Sequence, residues 1–428
     1  MIDIALLRAQ PELVRENLKR KFQEHKLELV DEALALDERR RALQTEGDSL
    51  RASRNTLSKQ IGALMREKKT EEANAVKAQV NANAERLTAV EAETSEVEAK
   101  LKAVMMRIPN IVCKDTPVGK DDSENVERQR WLEPKTPDFE VPYHLDILEK
   151  LAGIDIDSAR RTSGQGFYYL TGDVARLHSA VLAYARDFMI NKGFTYCIPP
   201  FMIRSEVVSG VMSFEEMEGM MYKIEGEDLY LIGTSEHSMI GRFMNTTLQE
   251  SELPLALTSY SPCFRKEKGA HGIEERGIYR IHQFEKQEMI VICKPEESES
   301  WYEKMWNYTV ELFVSMEIPV RTLECCTGDL ADLKYRSVDV EAWSPRQQKY
   351  FEVGSCSNLT DAQARRLGIR FKGEGGSKFA HTLNNTVVAP PRMLIAFLEN
   401  HLRADGSVYI PEVLRPYMGG QKEIVPKK

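Results

Sequence analysis

The chain has 428 residues, more than one compact core holds, so two domains are expected. Apolar content of 42% and charged content of 29% are those of an ordinary folded protein. A formal net charge of −8 excludes a uniformly basic nucleic-acid binder, and no run of about 18 uncharged apolar residues offers a membrane span. The first residues, MIDIALLRAQPELVREN, carry early acids and no apolar run, so a cytoplasmic location is expected rather than secretion. The charge is segregated: residues 1–110 hold 20 basic and 19 acidic residues, leaving the deficit in the C-terminal part. Seven cysteines, with no CxxC spacing and with Cys325 and Cys326 adjacent, read as reduced, buried thiols. No zinc is expected, the alternative being a site from Cys326, Cys356 and a carboxylate.

Residues 1–30 read as a helix followed by a short connector. Leu36, Leu43, Leu50, Leu57 and Leu64 then recur every seven residues, with Ala33 and Ile61 on an adjoining row that is otherwise weak (Arg40, Gly47, Arg54). Val76, Val80, Asn83, Leu87, Val90, Thr94, Val97, Leu101 and Val104 alternate steps of four and three, and neither stretch contains proline. This is the seam of a left-handed coiled coil. It predicts an antiparallel helical hairpin over about residues 31–107, with its tip in MREKKTEEANA and a length of roughly 45 Å. Ile108-Pro109-Asn110 ends the helix, because proline cannot continue it. Residues 1–110 thus form one domain and 111–428 a second. Periodicity leaves open whether the rod is a spacer for oligomerisation or an arm reaching RNA through Arg66, Lys68 and Lys69.

Residues 111–165, rich in Pro, Asp and Glu, read as a linker and docking segment anchored by Trp131. Beyond Phe167, β-type runs dominate (FYYL, LYLI, ALTSYSPCF, YRIHQF, EMIVIC, KYFEV), with helices over about 176–191, 296–316 and 391–402. The expected fold class is α+β: antiparallel strands with helices packed on one side, not a doubly wound sheet. There is no GxxxxGK[ST] loop, and Gly373-Glu374-Gly375-Gly376 reads as a turn. HExxH and GxSxG are also missing.

Polar residues occupy strands where a half-buried sheet prefers apolar ones. Pro262-Cys263-Phe264-Arg265-Lys266-Glu267 is followed, after a ten-residue loop, by Ile278-Tyr279-Arg280-Ile281-His282-Gln283-Phe284-Glu285-Lys286-Gln287-Glu288. Paired as a hairpin, the two runs bring Arg265, Glu267, Arg280, Phe284 and Glu288 together. Farther on, Pro390-Pro391 open a helix with Arg392 in its first turn. A cation there opposes the helix dipole, which points to an anion as its partner.

The FRKE hairpin and the strand–helix unit carrying Arg392 resemble motifs 2 and 3 of class II aminoacyl-tRNA synthetases, and Ile198-Pro199-Pro200 resembles motif 1. Within that class the chain resembles the seryl-tRNA synthetase family. The resemblance runs in order through the arm, Ile108-Pro109-Asn110, Gly233-Thr234-Ser235-Glu236, His282-Gln283-Phe284, Thr327-Gly328-Asp329, Ser355-Cys356-Ser357-Asn358 and Asp361 to Arg366.

The resemblance implies activation of L-serine by ATP to seryl-adenylate and transfer to tRNA(Ser), with tRNA(Sec) a further candidate, by a homodimer formed through motif 1 around Pro200. It assigns Arg265 to the α-phosphate, Glu267 to the adenine amino group, Phe284 to the adenine ring and Arg392 to the γ-phosphate. Lys266, Ile281, Val353 and Gly354 complete the ATP site, and Glu352 and Ser355 would hold Mg²⁺, a hard cation that takes oxygen ligands. Thr234, Ser235 and Glu236 would surround the serine amino group. Glu288 and Thr386, with Asn384, would take its side. His271 and His282 are read as loop and structural histidines. Gly166, Gly354 and Glu274-Glu275 depart from the family pattern. Two other readings fit less of the chain: a ligase loading a carrier protein, whose relatives lack a long arm, and a non-catalytic RNA-binding paralogue.

Overall fold

A computed structural model describes residues 1–267 and 277–427; His271 and Glu274-Glu275 lie outside the described residues. The chain divides into two compact units: Ile2–Lys19 with Gln23–Pro109, and Asn110–Lys428 with Met1 and Arg20–Phe22.

The first unit is helical. Helix α1 (Ile4–Ala9) starts on the Asp3 carboxylate, which accepts from Ala5 N at 2.7 Å. Pro11 has no N–H to continue it and instead opens α2 (Pro11–Arg20), so the single helix expected there is two. Helix α3 (Glu28–Arg66) and helix α4 (Thr70–Met105) form the predicted hairpin. Their antiparallel sense shows in the rungs Arg39–Glu93, Arg86–Glu46 and Asn83–Ser53. Leu43, Val90 and Val97 make the buried seam, with Leu36 and Leu50 beside it. The turn is only residues 67–69, shorter than the expected tip, because Glu71 and Glu72 favour the N-terminal turn of a new helix. Arg40, which weakened the leucine pattern, turns to Asp37. That carboxylate is 1% exposed and takes Arg8 at 2.9 Å, Arg40 at 2.9 Å and Arg41 at 3.0 Å.

The second unit is built on one eight-stranded sheet. Its elements in chain order are β1 (Val126–Trp131), α5 (Gly172–Asn191), β2 (Thr195–Cys197), α6 (Ser235–Gly241), β3 (Leu255–Phe264), β4 (Gln283–Cys293), α7 (Ser298–Ser315), β5 (Val320–Glu324), β6 (Arg336–Ser344), β7 (Lys349–Asn358), β8 (His381–Val388) and α8 (Pro390–His401). The strand order is β1-β5-β6-β7-β8-β4-β3-β2, antiparallel except where β2 joins β3. Strand β1 corrects the linker reading. VERQRW is an exposed edge strand, and its polar faces hid it from a search for alternation. Trp131 does anchor it, with its ring 6.0 Å from that of Trp306.

Helices cover both faces, not one. Met289, Val291 and Cys293 of β4 enter the large core with α5, α7 and α8. The alternate residues Ile290 and Ile292 enter a second core with α6 and the helix Ala362–Leu367. In β4 this second face continues through Glu288, Lys286 and Phe284, which leaves a charged, partly open area beside an apolar one. The GEGG segment is, as expected, a turn, joining strands Arg370–Gly373 and Gly376–Phe379.

Candidate active site

A cavity of about 430 Å³ lies on this face of the sheet. Strand pairing fixes its floor: Glu288 stands opposite Ser259 on one side and Thr386 on the other, and Phe284 opposite Cys263. The sequence-derived residues Thr234, Glu236, Arg265, Glu267, Ile281, Phe284, Glu288, Glu352, Val353, Gly354, Ser355, Asn384, Thr386 and Arg392 all line it. Two of the expected residues do not. The Ser235 hydroxyl is buried, accepting from Ser259 Oγ at 2.6 Å, and Lys266 turns its ammonium toward the Tyr222 ring at 6.0 Å.

Arg265 is aimed by two constraints. Its Nε donates to Gly233 O at 3.1 Å, and its Cζ lies 5.2 Å from the centre of the Phe284 ring. Its backbone is fixed by His282, whose O accepts from Arg265 N at 2.9 Å and whose Nδ1 lies 3.0 Å from Arg265 O. His282 is thus structural, as read from the sequence. Glu267, at φ 49°, lies 3.6 Å from Arg280. The run 279–282 expected as strand is irregular, and β4 begins only at Gln283.

Across the cavity Arg392 Nη1 donates to Glu352 Oε2 at 2.8 Å, with its guanidinium 4.6 Å over the Tyr279 ring. Burial pushes the Glu352 carboxyl up, but Arg392, with Lys334 and Arg265, offsets this and holds it below the usual range. Glu352 and Ser355 are three apart and would face opposite ways in a regular strand. A bulge in the β6–β7 ladder, where Val353 has no partner between Glu352↔Glu341 and Gly354↔Val340, brings both to the cavity. Next to them Asp339 pairs with Ser355, and burial together with Glu352 pushes its carboxyl up to about 7.

At the inner end, Glu288 is 2% exposed and lies 2.5 Å from Lys286 Nζ, and Thr386 Oγ1 donates to it at 3.5 Å. Gln363 Nε2 donates to Glu236 at 2.7 Å. Burial, and then the Glu288 charge, push the Glu236 carboxyl up to about 7. Thr234 Oγ1 is buried without a hydrogen-bond partner. The sequence reading omitted Lys286, Asp339, Gln363 and Lys334. Lys286 was legible, because EKQE places it on the same strand face as Glu288; Gln363, on the helix Ala362–Leu367, and Lys334, on the segment before β6, reach the site from parts of the chain distant in sequence.

The cysteines are free thiols. Cys326 and Cys356 donate to separate backbone carbonyls, of Asp121 and Tyr302, rather than gathering at one site. Among the described residues the grouping with metal-ligand spacing is instead Cys325, Asp329 and Asp339, whose donor atoms lie within 4.8 Å of one another.

The cleft combines two guanidinium groups, paired carboxylates and an aromatic ring on one face of an antiparallel sheet. Residues 220–401 match the tRNA synthetase class II core domain (G, H, P, S and T), and residues 1–112 match the seryl-tRNA synthetase N-terminal domain. The chain is 41% identical to a serine–tRNA ligase of Methanospirillum hungatei over 99% of its own length and 100% of that protein's. The crystal structure of seryl-tRNA synthetase from Pyrococcus horikoshii complexed with ATP superposes with a TM-score of 0.94, at 41% identity and full coverage of both chains. The cytoplasmic serine–tRNA ligase from Naegleria fowleri in complex with AMP gives 0.89 at 31% identity, covering 100% of this chain and 99% of that one. The chain belongs to the seryl-tRNA synthetase family.

Of the departures from the family pattern, Gly354 is undemanding: a Cβ there would meet Thr386 at 3.4–3.5 Å, ordinary contact. Gly166 is required. It has φ +79°, and a Cβ would come within 2.5 Å of the His282 ring that holds Arg265. Gly166→Ala is expected to cost about 1–3 kcal/mol, seen as a lowered Tm. Adding His282→Ala should recover part of that loss; no recovery in the double variant would mean the ring is not what excludes the side chain.

Proposed function

We propose that this chain is a serine–tRNA ligase (EC 6.1.1.11), acting in two steps at the sheet-face cavity. The observation that carries the reading is the convergence of Arg265, Arg392, Glu352, Glu236 and Glu288 on one cleft. In the first step a serine carboxylate oxygen attacks the α-phosphorus of ATP, and the bond to pyrophosphate breaks. The nucleophile is already an anion, so no general base is needed, and rate comes from alignment and charge stabilisation. Arg265 meets the α-phosphate with its planar fork. Glu267 takes the adenine amino group, Phe284 and Ile281 the ring, and Arg392 the far phosphate, with the backbone at Val353 and Gly354 beside the nucleotide. Lys266 turns toward Tyr222 rather than into the cavity. Glu352 and Ser355 supply the oxygen donors that suit Mg²⁺, and the raised Asp339 carboxyl beside them fits a place where a cation is due. When bound, Mg²⁺ neutralises phosphate charge.

Serine enters with its ammonium toward Glu236 and Thr234, while Glu288, Thr386 and Asn384 take its side chain. Ser235 acts from behind this shell, through Ser259. A site that hydrogen-bonds a substrate hydroxyl rejects the analogue lacking it by roughly 10⁴. In the second step a hydroxyl at the 3′ end of tRNA attacks the acyl carbon and AMP leaves. The partner is tRNA(Ser), with tRNA(Sec) the second candidate acceptor.

Residues 1–110 serve as the tRNA arm and 111–428 as the catalytic domain. The match of the arm to its own family model favours this over a carrier-protein ligase. A homodimer forms through motif 1: Ile198 is 67% exposed, and Met202 beside Pro199-Pro200 is exposed as well. The location is cytoplasmic, in keeping with the Naegleria relative; no helix of the described residues is long and apolar enough to cross a membrane.

Serine-dependent ATP–pyrophosphate exchange is expected, and Arg265→Ala should lower its kcat/KM at least a hundredfold. Pure protein giving no exchange with serine would overturn the reading. The Michaelis constant for serine should depend on pH. Its ammonium binds the ionised Glu236, which below about pH 7 must first lose a proton. KM for serine should therefore rise as pH falls through 7, by up to about tenfold per unit, and flatten in Glu236→Gln. A flat wild-type profile from pH 5.5 to 8.5 would remove Glu236 from this role. For the arm, replacing Arg66, Lys68 and Lys69 by alanine should weaken tRNA binding and its salt dependence while exchange is unchanged. An equal fall in exchange would refute that division of labour.

A further inference from the structure

Lys334 lies on the segment between Asp329 and β6, and its side chain lines the cavity together with Glu352, Ser355, Arg265 and Arg392. An ammonium has three donors to satisfy. Among the described residues its hydrogen-bond partner is Ser337 Oγ, at 3.3 Å, and no carboxylate lies within ion-pair distance of it. Acidic groups nonetheless surround it. Burial by itself would push the Lys334 ammonium toward its neutral form, and Cys325, Asp339, Glu352 and Glu216 more than offset this; Cys325, Asp329 and Asp339 form the thiol–carboxylate grouping noted above. Arg392 is already committed to Glu352 and Lys286 to Glu288, so each of those cations enters the cavity with a partner at 2.8 Å or less. Lys334 differs. It is a cation of the cavity wall whose remaining donors have no protein acceptor among the described residues, and which the nearby carboxylates hold in the charged form.

We infer that Lys334 is a further ATP-binding residue, a tethered cation whose ammonium contacts the phosphates at the Glu352–Ser355 end of the cavity. There it shares with a divalent ion the task of neutralising a polyanion placed among carboxylates. A flexible stem with a compact charge suits a phosphate whose position shifts between ATP, adenylate and pyrophosphate. Charge-assisted hydrogen bonds of this kind are about twice as strong as neutral ones, and in a partly buried cavity they are screened little by salt. The inference rests on the reading of this cavity as the ATP site.

The test is equilibrium binding of ATP to the full chain, with EDTA and with excess Mg²⁺. Wild type, Lys334→Met and Lys334→Arg would be compared, with Tm and the serine KM measured alongside. In EDTA, Lys334→Met should bind ATP roughly tenfold more weakly than wild type, and Lys334→Arg should recover most of the loss. In excess Mg²⁺ the difference should shrink to about threefold or less, because the divalent ion brings charge to the same phosphates. Tm should stay near wild type, and the serine KM should rise only modestly, because Lys334 is a minor contributor to keeping Glu236 ionised. Binding by Lys334→Met within twofold of wild type in EDTA would overturn the proposal. So would a change in the serine KM without one in ATP affinity, or a loss equal in both conditions and accompanied by a lower Tm. Wild-type protein that binds no ATP under either condition would instead overturn the reading of the cavity itself, and the two failures are therefore distinct.

Discussion

Lys286 and Glu288 stand on one face of a central strand, 2.5 Å apart, with side chains 7% and 2% exposed. Either charge alone at that depth would be worth several kcal/mol of destabilisation, and even the pair offsets its desolvation only with good geometry and further hydrogen bonds. The rest of the catalytic unit supplies those conditions. The antiparallel register sets Thr386 on one side of Glu288 and Ser259 on the other, so hydroxyls rather than methyls flank the pair. Ser259 in turn ties down Ser235 at the start of α6, and Thr258 fixes the Glu288 carbonyl. A sheet that must hold charge on one face therefore also determines which polar side chains its neighbouring strands carry.

The same constraint explains why so much of the structure was legible in the sequence. Arg, Glu and Lys inside strand-forming runs are expensive and so conspicuous, and they located the β3–β4 hairpin and the start of α8 without any contact information. The coiled coil was legible because a 3.5-residue period has few competing explanations. What escaped detection lacked such signals. The edge strand β1 has no buried face to impose alternation, and the break at Pro11 separates two helices too short to show a period. The bulge at Val353 leaves no local mark, although it decides that Glu352 and Ser355 face the same way.

The site shows the same boundary between local and non-local information. Phe284 and Glu288 on β4 and Asn384 and Thr386 on β8 keep the spacing a strand face requires, and all four line the cavity. Lys266 and Ser235 are sequence neighbours of residues that line the cavity, and neither lines it, for the same reason. At a strand exit and a helix start the side-chain direction is set by tertiary partners, here Tyr222 and Ser259. Gln363, Asp339 and Lys334 are the converse: they act on the site from distant segments, and only their convergence in space gives them meaning.

Within the site the charges largely pair with one another: Arg392 with Glu352, Arg280 with Glu267, Lys286 with Glu288. A substrate must replace such a partner rather than simply add to it, so a purely cationic or purely anionic molecule would gain from one half of each pair and strand the other. ATP with a divalent cation, and an amino-acid zwitterion, both bring charges of each sign. On the function proposed above, the carboxylates that ATP releases from arginine would turn to the cation, and the ammonium of the amino acid would meet Glu236, whose carboxyl burial and Glu288 push up to about 7. Each substrate thus supplies the counter-charge that its own binding displaces. This exchange of partners would give an acidic chain, of net charge −8, a workable site for a polyanionic nucleotide.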